Sequence, residues 1–129
     1  LRKGDDLALF AVGPLAYQAL EAAEQLSREG KEAAVINCRF VKPLDEELIL
    51  DWSNRTKRVI TIEENVIAGG FGSAIIELLA DYSFKGKAAR MGIPDSFIEH
   101  GSPDLLHRNI GLDAAGIVDF IKSKGWFNS

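Results

Sequence analysis

The feature that most limits what this chain can fold into is a regular alternation of short apolar or β-branched runs with amphipathic stretches of helical period. Residues 7–12 read as a buried strand, closed by Gly13-Pro14, whose proline suits a first helical turn. A helix is predicted over residues 15–28. Its apolar positions Leu15, Ala19, Ala22, Ala23 and Leu26 share one face, and Gly30 stands where a left-handed cap is wanted. Residues 33–37 form a second strand candidate. Asp45 then has the placement of an N-cap, with Leu44 and Ile49 at hydrophobic-staple spacing, opening a short helix to about Ser53. Residues 59–62 read as a third strand, and Ile75, Leu78, Leu79 and Tyr82 mark a helix by their i, i+3, i+4, i+7 spacing. Residues 88–91 are a weaker fourth strand. Residues 92–101, with Pro94 and a glycine at each end, read as an ordered loop, and Ser102-Pro103-Asp104 has the order that opens a helix. The last helix is predicted to start at Asp113, stapled by Leu112 and Ile117, and to stop at Gly125.

Because each strand-to-strand connection is long enough for a crossover, the expected fold class is α/β: a three-layer, mostly parallel sheet with helices on both faces. With 129 residues and 47% hydrophobic content, residues 1–129 are expected to form a single domain around one core. Such sheets place their sites at the carboxyl ends of the strands, which makes residues 63–73 the expected functional edge.

Composition excludes several functions. A formal charge of −4 supplies no cationic field for a polyphosphate backbone, so no nucleic-acid partner is expected. The single cysteine, Cys38, cannot form an internal disulfide, and with only His100 and His107 beside it the usual zinc patterns cannot be assembled. A reduced, cytoplasmic compartment is the expectation. No apolar run approaches the roughly 20 residues that span a bilayer, so no membrane association is expected. A chain that begins at Leu1 reads as a piece of something longer.

The segment of residues 59–79, a β-branched run ending in Glu63-Glu64-Asn65, then Gly69-Gly70-Phe71-Gly72-Ser73 and an apolar helix, poses the question of a phosphate-binding loop. A dinucleotide fingerprint needs a third glycine where Ile75 stands, and a Walker loop needs a G-K-[ST] run that is missing. Free amides at the start of the helix would favour an anion, but the carboxylates of Glu63 and Glu64 can occupy that position themselves. The preferred reading is structural: Gly69, Gly70 and Gly72 permit a tight turn and close packing, through positive φ or close backbone approach, with Glu64 or Asn65 holding the loop by hydrogen bonds.

The other acidic and histidine positions point to structure. Asp5-Asp6 precede the first strand, where the acids of a phosphorelay receiver would follow it. Gly4-Asp5-Asp6 with Asn37 lacks the second glycine of a thiamine diphosphate metal motif. His100 and His107 have no accompanying nucleophile pattern, and Glu46-Glu47 suit the dipole of a first helical turn.

Four motifs in order carry a family resemblance across nearly the whole chain. They are Arg39-Phe40-Val41-Lys42-Pro43-Leu44-Asp45, then Glu63-Glu64-Asn65 with Gly69-Gly70-Phe71-Gly72-Ser73, then Gly92-Ile93-Pro94-Asp95, and Gly111-Leu112-Asp113-Ala114-Ala115-Gly116. Together they resemble the C-terminal domain of the 1-deoxy-D-xylulose-5-phosphate synthase family. The carboxylate–glycine turn alone is shared with transketolases and 2-oxoacid dehydrogenase β subunits. Ile93 departs from the leucine commoner in the family. The resemblance implies a transferase dependent on thiamine diphosphate and magnesium, which joins decarboxylated pyruvate to glyceraldehyde 3-phosphate for isoprenoid, thiamine and pyridoxal synthesis. It also implies that the cofactor-binding domains lie upstream, so that no catalytic, cofactor-binding or metal-binding residue falls on this chain. Its partners would be those upstream domains and a second copy in a homodimer.

Within that frame, Glu63, Glu64, Asn65, Gly69, Gly70, Gly72, Ser73, Phe97 and Ile98 are the candidate contact residues. Residues 63–73 and 93–101 follow neighbouring strands at their carboxyl ends, and Phe97 and Ile98 are apolar among polar neighbours. The alternatives are a small-molecule regulatory or nucleotide-binding module using the same loop, and the equivalent domain of a transketolase or 2-oxoacid dehydrogenase.

Overall fold

The computed structural model describes residues 2–38, 45–66, 70–94 and 113–127. The elements run β1 (Leu7–Ala11), α1 (Leu15–Ser27), β2 (Ala33–Asn37), α2 (Glu46–Thr56), β3 (Arg58–Val66), α3 (Phe71–Asp81), β4 (Lys87–Pro94) and α4 (Ala114–Ser123). Four strands form one sheet in the order β2-β1-β3-β4, and every strand pair is parallel. A single antiparallel bridge, Arg2 to Val35, adds the N-terminal segment to the outer edge of β2.

The two sheet faces follow from side-chain alternation along fully buried strands. Leu7, Leu9, Ala11, Ile60, Ile62 and Met91 face α1 and α4. Ala8, Phe10, Ala34 and Val59 face α2 and α3. Helix α1 lays Ala19, Ala22, Ala23 and Leu26 on the sheet, all fully buried, and its small residues allow close approach. Burying one leucine of this kind contributes about 1.5–3 kcal/mol. Gly30, at φ 85°, turns the chain after α1 as expected.

Two predicted caps are present. Asp45 accepts from the amide of Leu48 at 3.1 Å, and Asp113 accepts from that of Gly116 at 2.9 Å. Three predicted boundaries were too short. Helix α2 continues to Thr56, stopped by Lys57 in the left-handed region at φ 63°. Strand β4 spans Lys87–Pro94, so that Gly92 and Pro94 belong to a strand and not to a loop. Strand β3 runs through Glu63, Glu64 and Asn65 to Val66, where a loop was expected. Parallel pairing with β4 supplies backbone partners to polar residues of low strand preference. The helix predicted at Ser102 and the staple residues Leu44 and Leu112 lie outside the described residues.

Candidate functional site

The strand order reverses direction between β1 and β3, and the carboxyl ends of these strands border the crevice where parallel sheets bind ligands. On the β1 side, the amide of Val12 donates to the carbonyl of Ile62 at 3.2 Å. The first amides of α1 are taken up locally, Ala16 by the carbonyl of Gly13 at 3.0 Å and Tyr17 by that of Pro14 at 3.1 Å.

On the β3 side, the pairing with β4 slips. Ile62 pairs with Met91 and Asn65 with Ile93, three steps along β3 against two along β4. The irregularity falls where Glu63 leaves the regular ladder, a device that commonly re-aims a side chain at a sheet edge. Glu63 is 6% exposed and turns toward α3. Its Oε2 accepts from the amide of Gly72 at 2.7 Å, and its Oε1 faces Arg90 Nη2 at 3.5 Å. Since Gly70 occupies the N-cap position without a side chain, a carboxylate from the preceding strand performs the capping.

In this geometry the amide of Gly72 is held by the chain's own carboxylate. The sequence reading had allowed for this filling, and Glu63 is the carboxylate that makes it; the hold on the loop expected of the Glu64 or Asn65 side chains lies outside what is described. Helix α3 starts at Phe71, before Gly72 and Ser73 rather than after the glycines. Gly70 has φ −82° and ψ −172°, an extended conformation open to any residue, so no positive φ is needed there. Close approach is the real constraint at Gly72, where a Cβ would stand 2.6 Å from Arg90 Nε and 3.0 Å from Thr61 Oγ1.

Glu64 and Asn65 lie on β3, and Ser73 is half-buried in the first turn of α3. Gly69, Phe97 and Ile98 lie outside the described residues. Asn65 pairs with Ile93 and Val66 with Pro94, so the two candidate segments leave neighbouring strands at one edge of the sheet.

Sequence reasoning missed Arg90 and Thr61. They are register partners on adjacent strands, and Thr61 Oγ1 is buried without a hydrogen-bond partner among the described residues. A signal was available: Arg90 is a charge set between the apolar Ala89 and Met91 within a strand.

Among the described residues no group of three or more His, Cys, Asp or Glu could hold a metal ion. Cys38 Sγ donates weakly to the carbonyl of Ile36 at 3.9 Å, and burial pushes its pKa up to about 11, which keeps it a neutral thiol. Among the described residues no helix is long and apolar enough to cross a membrane.

Comparison with known proteins agrees with this architecture. The family described as transketolase, C-terminal domain, matches residues 1–117. The chain is 50% identical over 130 residues to 1-deoxy-D-xylulose-5-phosphate synthase 1 of Geobacter sulfurreducens, covering 97% of this chain and 20% of the relative. It is 46% identical over 122 residues to 1-deoxy-D-xylulose-5-phosphate synthase of Aquifex aeolicus, covering 95% and 19%. The chain thus spans about a fifth of the length of these relatives. Among solved structures, a split-gene transketolase described as an inactive beta4 tetramer superposes with a TM-score of 0.84 at 35% identity, covering 95% of this chain and 40% of that one. Transketolase from Campylobacter jejuni shares the fold, with a TM-score of 0.60 at 22% identity over 95% of this chain and 18% of that one.

Proposed function

The chain belongs to the transketolase C-terminal domain family, and from that premise we propose that it is the C-terminal domain of a 1-deoxy-D-xylulose-5-phosphate synthase. The full-length protein would be a cytoplasmic, homodimeric transferase using thiamine diphosphate and magnesium. It would condense pyruvate with glyceraldehyde 3-phosphate, releasing CO2 and 1-deoxy-D-xylulose 5-phosphate for isoprenoid, thiamine and pyridoxal synthesis. The identity of about half of all residues to named synthases over nearly the whole chain supports this choice above a transketolase or a 2-oxoacid dehydrogenase.

Within that enzyme the role proposed for this chain is structural. The observation that carries it is the 2.7 Å contact between Glu63 and the amide of Gly72. A carboxylate there opposes a diphosphate at the start of α3, both by occupying the donor and by its charge. The described residues therefore do not fit the cofactor, and its chemistry belongs to the upstream domains. Residues 63–73 and 93–101, which include strand ends that pair at Asn65 with Ile93, are proposed to face those domains or the second subunit.

Comparing the full-length protein with a version lacking this domain tests the reading. Loss of product formation and of the dimer on deletion is expected, together with no turnover and no thiamine diphosphate binding by the domain alone. Product formed by the domain alone, or an intact active dimer without it, would overturn the assignment. Glu64→Lys in the full-length protein is expected to weaken assembly or activity, and an unchanged dimer with unchanged turnover counts against the proposed surface.

A further inference from the structure

The end of the sheet opposite Glu63 carries a cleft that the structural role above does not use. Gly125, at φ 67°, turns the chain out of α4 so that Trp126 and Phe127 fold back beside the C-terminal turns of α1 and α4. The cleft has a volume of about 240 Å³, with Leu26, Ile121, Trp126 and Phe127 as its apolar wall and Lys31 and Lys122 as its cations.

The tail is held in place by Arg58 at the start of β3. Its Nε donates to the carbonyl of Trp126 at 3.3 Å, and its guanidinium lies 4.5 Å from the centre of the Phe127 ring. Lys31 Nζ stands 5.7 Å from the same ring centre and makes no ion pair among the described residues. Lys122 is paired with Glu29 at 2.9 Å, and that hydrogen-bonded contact holds the Glu29 carboxyl below its ordinary range. The helix dipole accounts for Lys122, which sits in the last turn of α4. It does not account for Lys31, which precedes β2, lines the cleft and also acts electrostatically on the Glu29 carboxylate. An apolar, aromatic-walled cleft with cations at its rim is the usual chemistry for a small anion with an apolar body.

We propose that this cleft binds a small carboxylate with an aromatic or short apolar body, its carboxylate toward Lys31 and its body between Leu26, Trp126 and Phe127. The volume of about 240 Å³ is below the range usual for drug-sized ligands, so it suits a small ligand better than a nucleotide. The site lies apart from the surface proposed to contact the rest of the enzyme, so it can be tested in the full-length protein.

Equilibrium dialysis of radiolabelled benzoate against the full-length protein, with competition by benzyl alcohol and benzylamine, provides the test. Saturable binding in the roughly millimolar range is expected, as suits so small a ligand, with each uncharged or cationic competitor at least about tenfold weaker. Lys31→Gln, which removes the charge with little change of shape, is expected to weaken benzoate by about tenfold, and Lys31→Glu to abolish it. Lys57→Gln, outside the cleft, is expected to leave binding unchanged. Absence of saturable binding, equal affinity for benzyl alcohol, or Lys31→Gln binding like the parent in a protein with unaltered melting would each overturn the proposal.

Discussion

The carboxylate of Glu63 caps helix α3 across the strand-to-helix junction, with Oε2 2.7 Å from the amide of Gly72 and Oε1 3.5 Å from Arg90 Nη2. One side chain thereby ties the end of β3 to the start of α3 and to β4.

Removing this carboxylate is expected to be costly. Glu63→Ala strands a buried amide and removes the Glu63 contact of Arg90, and breaking a buried pair in this way costs about 3–5 kcal/mol. Because the Arg90 side chain is 28% exposed and reaches water, the expected loss is nearer ~2–3 kcal/mol. Glu63→Gln keeps an acceptor for Gly72 and should lose less. Urea unfolding that gives the alanine variant the parent's midpoint would show that the cap contributes nothing.

Gly72→Val is expected to destabilise the domain by about 1–3 kcal/mol through overpacking against Arg90 and Thr61. The same change at Gly70, whose backbone is extended, should cost less. In an Arg90→Ala background, where one of the two obstructions is gone, the Gly72→Val penalty should shrink by on the order of 1 kcal/mol. Additive losses in a double-mutant cycle would place the strain elsewhere.

Asp45→Ala and Asp113→Ala each remove a side-chain cap, on α2 and α4 respectively, and each should cost about 1 kcal/mol. For a domain of this size that corresponds to a melting temperature lower by roughly 4 °C. Calorimetry of the two variants would check both values, and a change at only one site would mean that the other helix end is held by its packing.

Cys38 is expected to alkylate slowly near neutral pH. Its pKa, pushed by burial from 9.0 to about 11, leaves little thiolate until the pH approaches the higher value. In the unfolded chain the thiol ionises first. Its contribution to stability is therefore complete below about pH 9 and is lost as pH rises toward about 11. Iodoacetamide labelling across pH 7–11, with the denatured protein as reference, should show two separated rate profiles; coincident profiles would mean that the folded thiol is not desolvated.

Local chemistry alone determined the order of the elements, the caps at Asp45 and Asp113, the turn at Gly30 and the layered class, because period, capping geometry and left-handed turns depend on residues close in sequence. The chain's filling of its own anion position was also legible, since two carboxylates precede a helix start. Which carboxylate does so was decided in three dimensions. The choice of Glu63 depends on the slipped register between β3 and β4 and on the face that this slip gives it, and register is a property of two strands some 30 residues apart. The same is true of Arg90, and of the length of β3. Polar residues stay in a strand when a neighbour completes their backbone hydrogen bonds, and no local pattern records that neighbour.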